Sequence, residues 1–185
     1  MRFFFLLVSF FFLFSCSEYQ KILKNTDPEF KYTQALNYYD NGDYARALQL
    51  FEDLLGYYRG DSKSEDIYYH YVYCNFYMQD YISAAYHFNN FVSKFILSEK
   101  NEEMSFMSAY CHYLDSPRFS LDQTNTHKAI DELQLFISNY PTSDSIPRVN
   151  ELILVLNKKL EKKIDLLQYR SDVVEICKIE HRIRL

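Results

Sequence analysis

The pairs with the strongest claim to chemistry in this 185-residue chain are His70 with Cys74, and Cys111 with His112. His70 and Cys74 stand four apart, which places imidazole and thiol on one helix face at zinc-ligand spacing. Cys111-His112 would have to supply two further ligands from a second helix. Both pairs sit among tyrosines, and the plainer expectation is that they are buried between helices. His87, His127 and His181 have no partner at catalytic spacing. The acid pairs Glu102-Glu103 and Asp131-Glu132 fall where a helix start or an exposed helix face favours negative charge. No glycine-rich phosphate loop, Gly-x-Ser-x-Gly, His-Glu-x-x-His or Cys-x-x-Cys occurs. The chain is expected to hold no metal and no cofactor, and to be no enzyme.

What the chain offers instead is aromatic surface: 18 Tyr and 16 Phe, with no Trp. Only three Gly and four Pro interrupt it, so long helices with short connections are expected rather than sheets joined by tight turns. The formal net charge of −5 argues against nucleic acid, which needs a basic stripe to displace counterions.

These residues must be positioned by helices, and the helices repeat. Tyr44-x-x-Ala47-x-x-x-Phe51-x-x-Leu54 returns as Tyr81-x-x-Ala84-x-x-x-Phe88-x-x-Phe91, and again as Ala129-x-x-x-Leu133-x-x-Phe136 with Pro141 behind it. Before each copy lies a tyrosine-rich helical stretch: residues 29–41, 65–79 and 102–114. Helix A, turn, helix B is therefore predicted three times, with Gly42-Asp43 and Gln79-Asp80 in the first two turns. The small residue (Ala47, Ala84, Ala129) lets helix A approach, and the bulky one a turn later fills the groove. Asp27-Pro28-Glu29 reads as the start of the first helix, with Asp27 as N-cap. Pro117 ends the third A helix, and Asp122 or Thr124 can cap the third B helix. Ser145-Ile146-Pro147 opens a further helix carrying Leu152, Leu156, Leu160 and Ile164 on one face. Lys158, Lys159, Lys162 and Lys163 are expected on its solvated side. The whole pattern resembles the tetratricopeptide repeat (TPR). That resemblance implies an all-α fold of helical hairpins wound into a right-handed superhelix.

In such arrays the A helices line a concave face. On this phase Tyr32, Leu36, Tyr39, Tyr69, Tyr73, Phe76, Phe106, Tyr110 and Tyr113 are expected to point toward a peptide-binding groove. Tyrosine offers wide apolar area at low rotamer cost, with a hydroxyl that can meet backbone amides. The bland alternative is that about half of these rings simply pack between neighbouring A helices.

The N-terminus is read separately. Arg2 followed by Phe3 to Phe14, with Ser9 the only polar interruption, is too short to span a bilayer and matches the apolar region of a signal peptide. Leu13-Phe14-Ser15-Cys16 resembles the lipobox of bacterial lipoprotein precursors, although a residue smaller than Phe14 is usual there. By that resemblance Cys16 carries acyl chains, palmitate among them, and anchors the protein to a membrane. Residues 1–15 would then be a leader and 16–26 a tether holding the lipidated cysteine. Of the remaining cysteines, Cys74 and Cys111 read as small buried hydrophobes, and the sequence leaves a bridge between them open.

A lipobox followed by Ser-Glu-Tyr-Gln-Lys-Ile-Leu, tandem TPR units, and the insertion Tyr113-Leu-Asp-Ser-Pro-Arg-Phe-Ser-Leu-Asp-Gln-Thr124 together resemble the BamD family, in the form found in Bacteroidetes-type bacteria. The resemblance covers roughly residues 16–163. It implies a lipid-anchored scaffold on the periplasmic face of the outer membrane, acting in β-barrel protein assembly. Such a protein docks on a BamA-like barrel subunit and engages unfolded barrel precursors. A TPR lipoprotein for another cargo, glycan or peptidoglycan fragments, is the alternative. The domain is expected over 27–163, as three repeats and the start of a fourth. Residues 164–185, with scattered Leu166, Val173, Val174, Ile176, Ile179 and Ile183, diverge from the family's continuation and suggest a copy truncated at its C-terminus. The last helix would then expose Leu152, Leu156 and Leu160 unless the tail folds back over them.

Overall fold

The computed structural model describes residues 18–183, with side chains described as far as residue 176. The leader, Cys16 and the side chains of Ile179 and Ile183 lie outside the described residues. Every regular element among those residues is helical: α1 (18–23), α2 (Pro28–Asp40), α3 (Tyr44–Tyr57), α4 (Lys63–Tyr77), α5 (Tyr81–Lys94), α6 (Asn101–Leu114), α7 (Thr124–Asn139) and α8 (Ile146–Ile183). The all-α hairpin expectation of the TPR type therefore stands. The chain divides into two compact units at Asp80 and Tyr81.

In the first unit α2 starts where the sequence places it. Asp27 accepts from the backbone N–H groups of Glu29 and Phe30, and Pro28 fills the first helical turn. The α2–α3 turn closes through Gly42 at φ 75, whose N–H donates to the Tyr39 carbonyl, while the Asp43 N–H reaches Tyr38. This is a left-handed helix stop, and glycine meets its steric demand. Asp43 then caps α3. Ala47, Leu50, Phe51 and Leu54 of α3 are buried against Ala35 of α2 and Ile67 and Cys74 of α4, so the interlocking of small and bulky residues is realised.

One expectation is corrected here. Part of the supposed tether is a docked element. Residues 18–23 are helical, and Tyr19, Ile22 and Leu23 pack on the first core. The Tyr19 hydroxyl donates to the Arg46 carbonyl at 3.1 Å, and the Arg46 guanidinium lies 5.5 Å over the Tyr19 ring. Lys31 joins the segment to α3 by donating to the Leu23 carbonyl and pairing with Asp53 at 3.0 Å. Apolar burial of three side chains outweighs the freedom a tether of this composition would otherwise keep.

In the second unit α5 packs on α6, α6 on α7 and α7 on α8. Ala84, Phe88, Ala129, Leu133 and Phe136 are all buried, as the repeat requires. Two corrections concern α8. Leu152 and Leu156 need no returning tail, because Ala109, Ala129, Ile130, Leu133 and Phe136 of α6 and α7 cover them. Nor does the tail turn back: α8 runs unbroken through residue 164 to Ile183. Its burial fades after Leu160, and Ile164 is 65% exposed. The lysine side of α8 is not simply solvated either. Lys159 donates to the Ser116 carbonyl and hydroxyl at 3.2 and 2.7 Å, and Lys163 to the carbonyls of Ser120 and Leu121.

The 115–123 connection is correspondingly well built. Neither Asp122 nor Thr124 occupies the cap of α7; Gln123 does, without a side-chain cap bond. Its buried amide instead donates to the carbonyls of Arg118 and Leu121 and accepts from the Thr126 hydroxyl at 2.8 Å. Asp122 still contributes by accepting the Thr124 N–H at 2.9 Å.

Candidate functional site

The residues expected in a groove separate between the two units. In the first, α2, α3 and α4 bring Tyr39, Tyr69, Tyr73 and Phe76 into one aromatic network. The Tyr39 ring stands edge-on to His70 at 5.0 Å and to Tyr77 at 6.1 Å. Tyr69 lies 4.8 Å from Tyr73, which in turn contacts Phe76 at 6.3 Å. The i, i+3, i+4 spacing along α4 produces this chain of rings directly. Tyr73 is nearly buried, whereas Tyr69 and Phe76 are half-buried.

Tyr32 is placed elsewhere. Its hydroxyl bonds the Asp66 carboxylate, and the Lys63 ammonium sits 5.8 Å over its ring. Burial and the neighbouring carboxylate both push the phenol upward, so it stays protonated. Beside it Glu29 accepts from Tyr58 and from Lys63, each at 2.5 Å, which holds its carboxyl below the usual range. Tyr32 and Glu29 thus belong to a polar clamp across the starts of α2 and α4. Leu36 packs on the first core.

Two residues of the aromatic network were not anticipated. Tyr44 and Tyr77 stack at 4.7 Å, and Tyr77 is 45% exposed. Tyr77 follows Tyr73 by four, so its membership was legible in the α4 stripe. Tyr44 is harder to find in the sequence because it opens a B helix, whereas the TPR resemblance assigns the concave face to A helices.

In the second unit Phe106, Tyr110 and Tyr113 form a ladder along α6, each successive pair stacked at 5.8 Å. All three pack at the edge of the core that α7 and α8 complete. Tyr140, at the end of α7, closes over the ladder's start, with its hydroxyl 3.2 Å from that of Ser105.

The residues with chemical potential are engaged in packing. His70 stacks on Phe51 at 5.5 Å, and its Nδ1–H donates to the Asp66 carbonyl at 2.8 Å. Cys74 and Cys111 are free and buried, and burial pushes each thiol up to about 12. Among the described residues no group of three His, Cys, Asp or Glu side chains could hold a metal ion.

Hairpins interlocked through Ala and Phe, with rings rather than titratable groups along their faces, define an all-helical repeat protein of the TPR type. The comparison with known families agrees and goes further: a family model, YfiO, described as an outer membrane lipoprotein, matches residues 24–169. The chain belongs to that family. Membership associates it with the outer membrane and, in general terms, with outer-membrane assembly. No curated protein matches the chain. Among the described residues no helix is long and apolar enough to cross a membrane.

Proposed function

We propose that this chain is a non-enzymatic scaffold in the assembly of β-barrel outer-membrane proteins. It is held on the periplasmic face by acyl chains on Cys16, after removal of residues 1–15. It docks on a BamA-like barrel subunit and presents aromatic faces to unfolded barrel precursors. The repeat domain over 27–163 supplies those faces, and Tyr39, Tyr69, Tyr73, Phe76, Phe106, Tyr110 and Tyr113 are its ring-bearing contacts. Tyr32 supports them through the clamp with Asp66.

The observation that carries this reading is the half-open tyrosine network of the first unit, in which the exposed Tyr77, stacked on half-buried Tyr44, extends the ring surface of Tyr39 and Tyr69. A barrel strand alternates aromatic and small or polar residues, so an extended segment can lay every second side chain against such a surface. The hydroxyls can meet the strand's unpaired amides.

Fluorescence anisotropy with a labelled barrel-strand peptide tests it. Tyr77→Ser should weaken binding by about tenfold, as loss of a ring-bearing hot spot does, while the melting temperature holds. Unchanged affinity would remove the aromatic network from the function. A glycan oligomer that displaces the peptide and binds more tightly would favour the glycan-cargo alternative, because sugar rings also stack on tyrosine.

A further inference from the structure

The pocket between the 115–123 connection and α8 plays no part in the reading above. It encloses about 580 Å³ and is lined by Arg118, Phe119, Ser120, Val155, Lys158, Lys159 and Lys162. Val155, Lys158, Lys159 and Lys162 follow i, i+3, i+4, i+7 spacing, so α8 turns one stripe toward the connection. That stripe is held in place. Lys159 and Lys163 bond the carbonyls of Ser116, Ser120 and Leu121, and Gln123 bonds those of Arg118, Leu121 and Asp122 from the other side. Arg118, Lys158 and Lys162 are left exposed at the mouth, and none of the three pairs with an acid among the described residues. Three uncompensated cations gathered over an apolar wall, in a chain of net charge −5, call for an anionic partner with an apolar root.

We propose that this pocket takes the phosphate headgroup of an anionic phospholipid. An extended acidic peptide would also satisfy the charge, but it requires backbone groups to pair with. The carbonyls of Ser116, Arg118, Ser120, Leu121 and Asp122 are already bonded by Lys159, Lys163 and Gln123. The charged side chains at the mouth, Arg118, Lys158 and Lys162, are donors, matched to a ligand whose phosphate diester is all acceptor. Phe119, 40% exposed, and Val155, 47% exposed, then lie where the glycerol and first methylenes would fall, with Leu121 and Leu154 exposed alongside. Cations flanked by apolar side chains are the arrangement that settles at the boundary of headgroups and acyl chains. An outer-membrane lipoprotein has that boundary within reach.

Calorimetric titration of the purified full chain, using short-chain lipids below their micellar concentration, tests the proposal. Dihexanoylphosphatidylglycerol is expected to bind about tenfold more tightly than dihexanoylphosphatidylcholine, and Arg118→Gln with Lys158→Gln and Lys162→Gln should abolish the difference. Phe119→Ser should weaken the anionic lipid and leave any response to inorganic phosphate unchanged. All four side chains are exposed, and a thermal melt followed by circular dichroism verifies folding. If the triple variant melts early, Lys162→Gln alone should still lower the lipid preference about threefold. Equal binding of the two lipids overturns the proposal. So does inorganic phosphate binding as tightly as the anionic lipid, which would mark a bare anion site. Tighter binding of hexaglutamate would reassign the pocket to an acidic protein segment.

Discussion

Gln79 adopts φ 63 at the stop of α4, where Gly42 adopts φ 75 at the stop of α2, and the two turns share their backbone bonding. A side chain with Cβ is strained there, and glycine is not. Gln79→Gly should therefore stabilise the protein by about 0.5–1 kcal/mol in urea unfolding, net of the entropy glycine adds to the unfolded chain. Glu29 makes a prediction about acid. Its carboxyl is lowered first by the Lys63 and Tyr58 hydrogen bonds, so the folded state favours the carboxylate. That contribution is whole above the ordinary carboxyl range and disappears as pH falls through the depressed value. Unfolding midpoints measured against pH should accordingly show a shallower acid limb in Glu29→Gln. Cys74 and Cys111, with thiols pushed up to about 12 by burial, should resist alkylation in the native state and react on unfolding, as peptide-resolved mass spectrometry will register.

Among the elements, the 115–123 connection is the one whose order depends on a single buried amide. Gln123 serves three carbonyls and the Thr126 hydroxyl, and Thr126 meets Ser116 at 2.6 Å. Gln123→Ala would remove one hydrogen bond each from the carbonyls of Arg118, Leu121 and Asp122 and from the Thr126 hydroxyl, at a cost of about 1–3 kcal/mol. Hydrogen exchange across 116–122 should accelerate more than in the core of α3; uniform acceleration would point to global destabilisation instead. Helix α8 divides along its length. Val149, Leu152 and Leu156 are fully covered, whereas Ile164, Leu167 and Tyr169 are at least half exposed. Exchange should therefore be slow to about Leu160 and faster through residue 176, because helix propensity without packing holds few turns.

At the scale of the whole molecule, α1 bears on how an acyl anchor would hold the protein. If Cys16 is acylated, only Ser17 separates it from the docked 18–23 helix. A residue spans at most ~3.6 Å, so the first unit would ride against the headgroups rather than swing on a leash. Cys16→Ala should abolish fatty-acid labelling and release the protein from membranes in fractionation. Tyr19→Ala should leave labelling intact but loosen α1, detectable as faster exchange over 18–23. Labelling that persists in Cys16→Ala would remove the anchor from the proposal.

The hairpins were legible in the sequence because their determinants are local and periodic. Ala47 and Phe51, Ala84 and Phe88, and Ala129 and Leu133 sit one turn apart, and a helix converts that spacing into a buried face without reference to the rest of the chain. Asp27, Pro28 and Gly42 announced their caps for the same reason. The tyrosines were harder to place, since i, i+3, i+4 spacing fixes which rings share a face but not what that face meets. So Tyr32 was taken by Asp66, and Tyr44 joined Tyr77 from a neighbouring helix. The lysines of α8 show the limit most clearly. Read along one helix, Lys159 and Lys163 look solvated; in the folded chain they meet carbonyls some 43 residues earlier. A carbonyl has no side-chain signature, and only the tertiary structure brings it within reach of an ammonium that will bond it.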